Sequence, residues 1–257
     1  MLTIPARAKE RIITGIKKFQ PILANARDKD INESDTVTII SDVLSEVFGY
    51  DKYTEITSEF AIKKTFCDLA IKLGDTVKML IEVKAAGLNL KEQHIKQAVD
   101  YGSNSGIDWV ILTNGVTWKV YKVIFAKPIT TEMLYEFDIT EMNPKKDTDM
   151  ELLFYLAKES MNRSNKLALE EYHLQKQLLN KYVISQVILN DATLDVIRRN
   201  LKKISADTKV TNDEIRAIIV DEIIKRDVFD DEKAAQTKKL VTKALKPAAK
   251  PAKADIQ

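Results

Sequence analysis

The residues of this sequence that are best suited to chemistry are two carboxylates and a lysine. Asp68 is followed, after thirteen residues, by Glu82-Val83-Lys84. Two carboxylates on neighbouring strands can share a hard divalent cation such as Mg²⁺, which prefers oxygen ligands and keeps several of its waters. Residues two apart in a strand project from the same face, so Lys84 would stand beside Glu82. There it could orient or deprotonate an attacking water, or stabilise the charge that develops when a phosphodiester is hydrolysed.

A β-hairpin has to bring these side chains together, and the hydrophobic pattern predicts its register. Apolar and polar residues alternate on both sides of Gly74-Asp75-Thr76. A three-residue loop there aligns the apolar positions of the two strands and places Asp68 opposite Glu82. The apolar pairs would be Leu73 with Val77, Ile71 with Met79, and Leu69 with Ile81. A two-residue loop slips the register by one residue, which inverts the face and separates the carboxylates. The apolar pairing favours the three-residue loop.

The segments around this hairpin predict an α/β fold with a mixed sheet flanked by helices. Apolar residues recur at helical spacing in three segments. These predicted helices cover residues 5–25, 33–48 and 90–104. Two further strands flank Asn114-Gly115, which is a strong signal for a two-residue hairpin turn, and another strand follows. These predicted strands cover residues 109–113, 116–124 and 133–139.

Several short motifs resemble a known family. Asp68…Glu82-Val83-Lys84 resembles the catalytic motif of the PD-(D/E)xK nucleases, and the run from Glu33 to Tyr121 resembles the N-terminal nuclease domain of type I restriction enzyme R subunits. The Gln-x-x-x-Tyr spacing of Gln97 and Tyr101 is the most discriminating feature, because members of that family carry it just after the catalytic strands. The other matching segments are Phe48-Gly49-Tyr50-Asp51, Ile81-Glu82-Val83-Lys84-Ala85, Leu112-Thr113-Asn114-Gly115 and Trp118-Lys119-Val120-Tyr121.

The resemblance implies a restriction-endonuclease-like fold and a metal-dependent endonuclease that hydrolyses DNA, in restriction, phage defence or another form of DNA processing. Mg²⁺, for which Mn²⁺ would substitute, would be held by Asp68, Glu82 and Val83. Asp68, Glu82 and Lys84 would be catalytic. The leading proline of the motif is absent, since Cys67 precedes Asp68, a departure that the family commonly tolerates.

The resemblance also implies roles for residues outside the hairpin. Gln97 and Tyr101, which are four residues apart and so share a helical face, would set DNA or the scissile phosphate beside the metal. Related nucleases often place a helix glutamate near the metal, which makes Glu33 a candidate and Glu59 a less favoured one. Each has a plainer interpretation: Glu33 also suits the first turn of its helix for dipole reasons, and Gln97 and Tyr101 could be a surface residue and a core aromatic.

The second half of the chain predicts helices only, and we expect domains over residues 1–145 and 146–230. The stretch from about 150 to 186 predicts a long charged helix that could pair with a copy of itself, so a homo-oligomer is possible. Asp191 is expected to cap one helix, and Thr211-Asn212-Asp213-Glu214 fits a capping box for another. Residues 231–257 are expected to form a basic, disordered tail that could hold DNA phosphates or serve only solubility.

Composition and missing motifs narrow the classes of protein. The net charge of +2 decides neither for nor against a nucleic-acid partner. A single cysteine, Cys67, and a start without the apolar core of a signal peptide lead us to expect the cytoplasm. No apolar run is long enough for a membrane span. Type I R subunits carry an ATP-driven motor, but no Gly-x-x-x-x-Gly-Lys-Ser/Thr loop is present, so we expect no bound nucleotide.

Two alternatives to an active nuclease stay open. Asp68, Glu82 and Lys84 could be a solvated strand face with weak ion pairs. The chain could also be a catalytically silent module that keeps the nuclease fold and binds DNA or a partner protein.

Overall fold

A computed structural model of the chain describes residues 2–62, 65–161, 168–205, 209–229 and 232–245. The unit Met1–His173 is built around a six-stranded mixed sheet with the strand order β1-β2-β3-β4-β5-β6. All neighbouring strands are antiparallel except β3 and β4, which are parallel because helix α3 carries the chain across between them. The strands are β1 (Ile56–Ile62), β2 (Thr65–Leu73), β3 (Thr76–Val83), β4 (Trp109–Thr113), β5 (Thr117–Ile124) and β6 (Thr130–Asp138). This confirms the predicted α/β fold with a mixed sheet.

Helices cover both faces of this sheet. The larger core lies between the sheet and helices α1 and α2, and it contains alternate strand residues such as Leu69 and Ile81. A smaller core lies under α3 and contains the intervening strand residues, such as Leu80. Successive side chains of a strand point to opposite faces of the sheet, which explains why neighbouring strand residues enter different cores. The helices of this part of the chain are α1 (Ala6–Asp28), α2 (Glu33–Glu46) and α3 (Glu92–Ser105).

The β2–β3 hairpin differs from the prediction at its turn. Leu73 pairs with Thr76, so the loop has two residues, Gly74 and Asp75, and the predicted pairing of Leu73 with Val77 is wrong. Gly74 has φ +60°, which suits the first central position of a type II′ turn. A bulge at Lys78 then restores the predicted register. Beyond it, the predicted pairs Ile71 with Met79 and Leu69 with Ile81 are confirmed.

The β4–β5 hairpin also turns one residue away from the predicted position. Thr113 pairs with Trp118, and the Asn114 N–H donates to the Thr117 carbonyl, so Gly115 and Val116 form the two-residue turn. The Asn114 side chain accepts the backbone N–H groups of Val116 and Thr117, which explains why the loop is centred after it. Asn114-Gly115 therefore predicts the hairpin correctly, but the turn is centred one residue later than predicted.

The chain divides into two compact units, Met1–His173 and Leu174–Gln257. The helices after β6 contribute to both of them. Helices α4 and α5 place side chains such as Leu153 and Met161 in the core of the first unit, although the boundary predicted from the sequence lies before them, at 145/146. The second unit has its own small core around Leu194, Ile215 and Ile219. The helices are α4 (Asp147–Phe154), α5 (Lys158–Met161), α6 (Ala168–Leu178), α7 (Lys181–Ile188), α8 (Asp191–Ile204), α9 (Asn212–Ile218) and α10 (Glu232–Ala244).

The predicted long helix over 150–186 is wrong. The chain turns after Phe154, and a new helix begins at Lys181, where the Asn180 side chain accepts the N–H groups of Tyr182 and Val183. The cap expected at Asp191 lies one residue earlier, at Asn190. The capping box of Thr211 and Glu214 is confirmed.

The predicted tail is only partly described by the structure. Residues Glu232–Ala244 form helix α10, within the segment expected to be disordered. Residues 246–257, which include Lys246, Lys250 and Lys253 of the predicted basic tail, lie outside the described residues. No helix in the described part of the chain is long and apolar enough to cross a membrane.

Candidate functional site

Asp68 lies at the end of the backbone hydrogen bonding between β2 and β3, where a side-chain contact replaces it. The last regular pair of that ladder is Leu69 with Ile81. One residue further, Asp68 Oδ2 accepts the backbone N–H of Val83 at 2.7 Å. The side chain therefore reaches from β2 to the residue that follows Glu82. The hairpin register brings the predicted pair of carboxylates to one place.

Glu82 is a buried carboxylate, with only 2% of the residue exposed. Its Oε1 accepts a hydrogen bond from Lys84 Nζ at 2.9 Å. Its Oε2 is fully buried and has no hydrogen-bond partner. A buried carboxylate oxygen without a partner is costly for a fold, so this atom is free to accept a further contact.

Lys84 follows directly after β3 and points its ammonium back at the carboxylates. Its Nζ donates to Glu82 Oε1 at 2.9 Å and to the Val83 carbonyl at 2.8 Å, and it lies 3.4 Å from Glu33 Oε2. The Lys84 backbone N–H donates to the Thr113 carbonyl of β4 at 2.8 Å, which holds the residue against the sheet. The expectation that Glu82 and Lys84 share a face is confirmed.

Burial, together with nearby negative charges, raises the pKa values of both carboxyl groups. Burial raises the pKa of Glu82 to about 7, helped by the charge of Asp68 and opposed by the hydrogen bond from Lys84. Burial also raises the pKa of Asp68, while the Val83 N–H and Lys84 lower it in part. Burial alone would lower the pKa of Lys84, but Glu82, Glu33 and Asp68 together raise it. Three carboxyl groups, those of Asp68, Glu82 and Glu33, thus act on one ammonium.

Glu33 is positioned by the turn between α1 and α2. Asn32 caps α2 by accepting the Asp35 N–H at 2.9 Å, which makes Glu33 the first residue of the helix. The Ile31 carbonyl accepts the N–H of Ala86 at 3.3 Å. This contact ties the start of α2 to the segment just after Lys84, so Glu33 stands beside the site although it is distant in sequence.

A cavity of about 270 Å³ adjoins Asp68 between α2 and the first two strands. Glu33 and Glu59 contribute carboxylates to its wall, and Ser34, Val37 and Ser58 complete it. Glu59 has φ +49°, a left-handed conformation that is uncommon for a glutamate inside a strand. Its neighbours Ser58 and Phe60 pair with Leu69 and Cys67, which sets Glu59 across from Asp68.

Gln97 and Tyr101 lie in α3, the helix that links β3 to β4, as the sequence predicted. Their side chains lie outside the described part of the structure, and their proposed roles stay predictions.

Sequence reasoning missed the side chain that anchors the segment after Lys84. Asn114 Nδ2 donates to the Leu88 carbonyl at 2.9 Å, and Asn114 is 7% exposed. The same side chain shapes the β4–β5 turn, so one residue holds both loops. Its dipeptide with Gly115 signalled a turn but carried no sign of this second contact.

The residues present are chemically suited to a hard divalent cation. Asp68, Glu82 and the Val83 carbonyl offer oxygen donors, and the unpartnered Glu82 Oε2 is the observation that supports a missing ligand partner. Among the described residues, no group of three or more His, Cys, Asp or Glu side chains is arranged to hold a metal ion. The candidate set has two carboxylates and a backbone carbonyl, with Lys84 currently in contact with two of the three.

The sequence of this region matches a known family. Residues 38–137 match the family model of the type I restriction enzyme R protein N terminus. The matched segment contains Asp68, Glu82 and Lys84 and ends near the close of β6, whereas Glu33 and the helices after β6 lie outside it. No curated protein and no solved structure matches the chain significantly. Over residues 38–137 the chain is therefore similar to the N-terminal region of restriction-related R proteins.

Proposed function

We propose that this chain is a Mg²⁺-dependent deoxyribonuclease that hydrolyses DNA phosphodiester bonds as an endonuclease. The observation that carries the proposal is the convergence of Asp68, Glu82 and Lys84 at the end of the β2–β3 ladder, with one buried carboxylate oxygen left unpartnered. The family match to restriction R-protein N termini supports DNA as the substrate.

Asp68, Glu82 and the carbonyl of Val83 would hold the cation, with Mn²⁺ able to substitute for Mg²⁺. A bound divalent cation supplies Lewis acidity and neutralises negative charge on the phosphate. The Val83 N–H keeps the Asp68 carboxylate turned toward β3, so the two acidic side chains do not have to be ordered at the moment of binding. Such preorganisation lowers the cost of assembling the site.

Lys84 would act on the reacting groups. Its side chain is 17% exposed, so the ammonium is screened from bulk water but still reaches the surface of the site. A positive charge in such a place stabilises the additional negative charge of the transition state more strongly than it would in open solvent. By resemblance, Gln97 and Tyr101 of α3 would orient the DNA. The cytoplasm remains the expected location.

Plasmid cleavage in Mg²⁺ or Mn²⁺ tests the proposal directly. Wild type should nick or linearise plasmid, and Asp68→Ala, Glu82→Gln and Lys84→Ala should each lose at least about a hundredfold in rate. Lys72→Ala, which removes another lysine of the same hairpin, is the matched control and should cleave normally. Equal cleavage by all variants would show that the activity comes from a contaminant or from another site.

The alternative is a catalytically silent module that keeps the fold and binds DNA or a partner protein. It predicts that wild type binds duplex DNA in a mobility-shift assay but leaves plasmid, linear and single-stranded DNA intact in both metals. That pair of results would replace the nuclease proposal.

A further inference from the structure

The ammonium of Lys84 contacts oxygens that the proposed cation would need. Its Nζ lies 2.9 Å from Glu82 Oε1 and 2.8 Å from the Val83 carbonyl oxygen. Two of the three proposed ligand residues are thus already bound to a positive charge that belongs to the protein. A divalent cation among the same oxygens would repel this ammonium. Like charges a few ångström apart repel each other strongly in a site that is shielded from water.

A second acceptor for the ammonium is the Glu33 carboxylate. Glu33 Oε2 is 3.4 Å from Lys84 Nζ, a contact longer than either of the other two. The Glu33 side chain is 48% exposed, whereas that of Glu82 is 3% exposed. Glu33 can therefore receive the ammonium at little desolvation cost, and its place on the capped first turn of α2 keeps it within reach.

We propose that Glu33 is a positioning residue, which holds the Lys84 ammonium after a divalent cation has displaced it from Glu82 and the Val83 carbonyl. This inference rests on the proposed metal site. The flexible four-carbon stem of lysine permits the small movement from one carboxylate to the other. Displacement toward Glu33 leaves Lys84 beside the cation and frees the buried carboxylate for it.

Two consequences for metal affinity follow. Removal of the Lys84 charge should tighten cation binding, because the cation no longer competes with an internal one. Removal of the Glu33 charge should weaken it, because the displaced ammonium loses its acceptor. The second effect should exist only when Lys84 is present, which distinguishes a positioning residue from a ligand.

Calorimetric titration with Mn²⁺ at about pH 8 tests both consequences without any measurement of cleavage. The binding considered is the part that Asp68→Asn abolishes. Lys84→Met should bind Mn²⁺ roughly tenfold more tightly than wild type. Lys84→Gln, which keeps a hydrogen-bond donor but no charge, should change the affinity in the same direction and serves if the methionine variant does not fold. Circular dichroism and urea unfolding verify that each variant is folded.

Glu33→Gln should bind Mn²⁺ roughly threefold more weakly in the wild-type background and unchanged in the Lys84→Met background. Asp35→Asn removes an acidic charge from the same helical turn and should alter neither affinity. If Glu33→Gln weakens binding equally in both backgrounds, Glu33 is a direct ligand and its positioning role is overturned.

Equal Mn²⁺ affinities of wild type and both Lys84 variants would overturn the displacement of Lys84 and leave the proposed metal site intact. Absence of Mn²⁺ binding in all of them, up to millimolar concentration, would instead contradict the metal site itself, and with it the proposed function.

Discussion

Asp68 accepts the backbone N–H of Val83 through its carboxylate, at 2.7 Å between Oδ2 and N. The regular pairing of β2 and β3 stops one residue before this contact, at Leu69 and Ile81. A side chain thus continues the hydrogen bonding where the backbone ladder ends. The same bond fixes Asp68 against the strand that carries Glu82, so the chemistry of the site and the stability of the hairpin depend on one carboxylate.

Substitution of Asp68 should therefore separate these two roles. Asp68→Ala leaves the Val83 N–H without its acceptor and should lower the free energy of unfolding by about 1–2 kcal/mol. Asp68→Asn keeps an acceptor oxygen and removes a partly buried charge, so it should cost less than about 0.5 kcal/mol. Both variants should lose Mn²⁺ binding. Urea denaturation and calorimetry measure the two effects, and equal destabilisation by both substitutions would contradict the role of this bond.

The raised pKa of Glu82 predicts a pH-dependent stability. Because its pKa in the folded protein, about 7, lies above the ordinary value of 4.5, the protonated side chain favours the fold. This contribution is fully present below about pH 4.5 and is lost as the pH rises through about 7. The free energy of unfolding of wild type, relative to Glu82→Gln, should fall by about 3 kcal/mol across this window.

Urea denaturation of wild type and Glu82→Gln at several pH values measures this difference. The contributions of ionisable groups that both proteins share cancel in the comparison. Asp68 has a pKa raised by burial as well, but it is present in both. A difference in stability that stays constant between pH 4.5 and 8 would show that Glu82 keeps its ordinary pKa. Mn²⁺ affinity should rise over the same window, since the cation needs the ionised carboxylate.

Two turn glycines should differ in their tolerance of a methyl group. Gly115 has φ +86°, and a Cβ there would lie 2.9 Å from Leu23 Cδ2, so Gly115→Ala should lower the free energy of unfolding by about 2–3 kcal/mol. Gly74 has φ +60° but nothing within 4 Å of such a Cβ, so Gly74→Ala should cost only about 1 kcal/mol. Thermal and urea unfolding compare them. A larger loss at Gly74 would mean that backbone strain outweighs the contact with α1.

The two contacts of the Asn114 side chain can be tested separately. Asn114→Ala loses the donor to the Leu88 carbonyl and the acceptor for Val116 and Thr117, and should cost about 1–3 kcal/mol. Asn114→Asp keeps the acceptor but loses the donor.

Hydrogen exchange reports on each contact by location. Amides in the segment after Lys84 should exchange faster in both variants, and those of the β4–β5 turn only in Asn114→Ala. If the amides around Leu88 exchange as slowly in Asn114→Asp as in wild type, the hydrogen bond from Asn114 to the Leu88 carbonyl does not hold this segment.

The order of helices and strands from β2 to β6 and the convergence of Asp68 with Glu82 were predictable from the sequence, because they depend on alternation, helical spacing and a short motif. These are local signals, and the register beyond the hairpin turn needs only the matching of apolar residues such as Leu69 and Ile81. Gln97 and Tyr101 were placed in α3 by the same kind of signal, and their contribution to the site is still a prediction.

Tertiary structure alone decided the remaining features. The bulge at Lys78 lets a two-residue turn at Gly74 coexist with the predicted pairing, and the alternating pattern contains no mark of it. The contact of Lys84 with Glu33 depends on the turn before α2 docking at Ala86, many residues away. The backbone groups to which side chains such as Asn114 and Asn180 form hydrogen bonds are determined only when the chain has folded around them. The identity of the chemical groups is thus local in the sequence, whereas the atoms they contact are set by long-range packing.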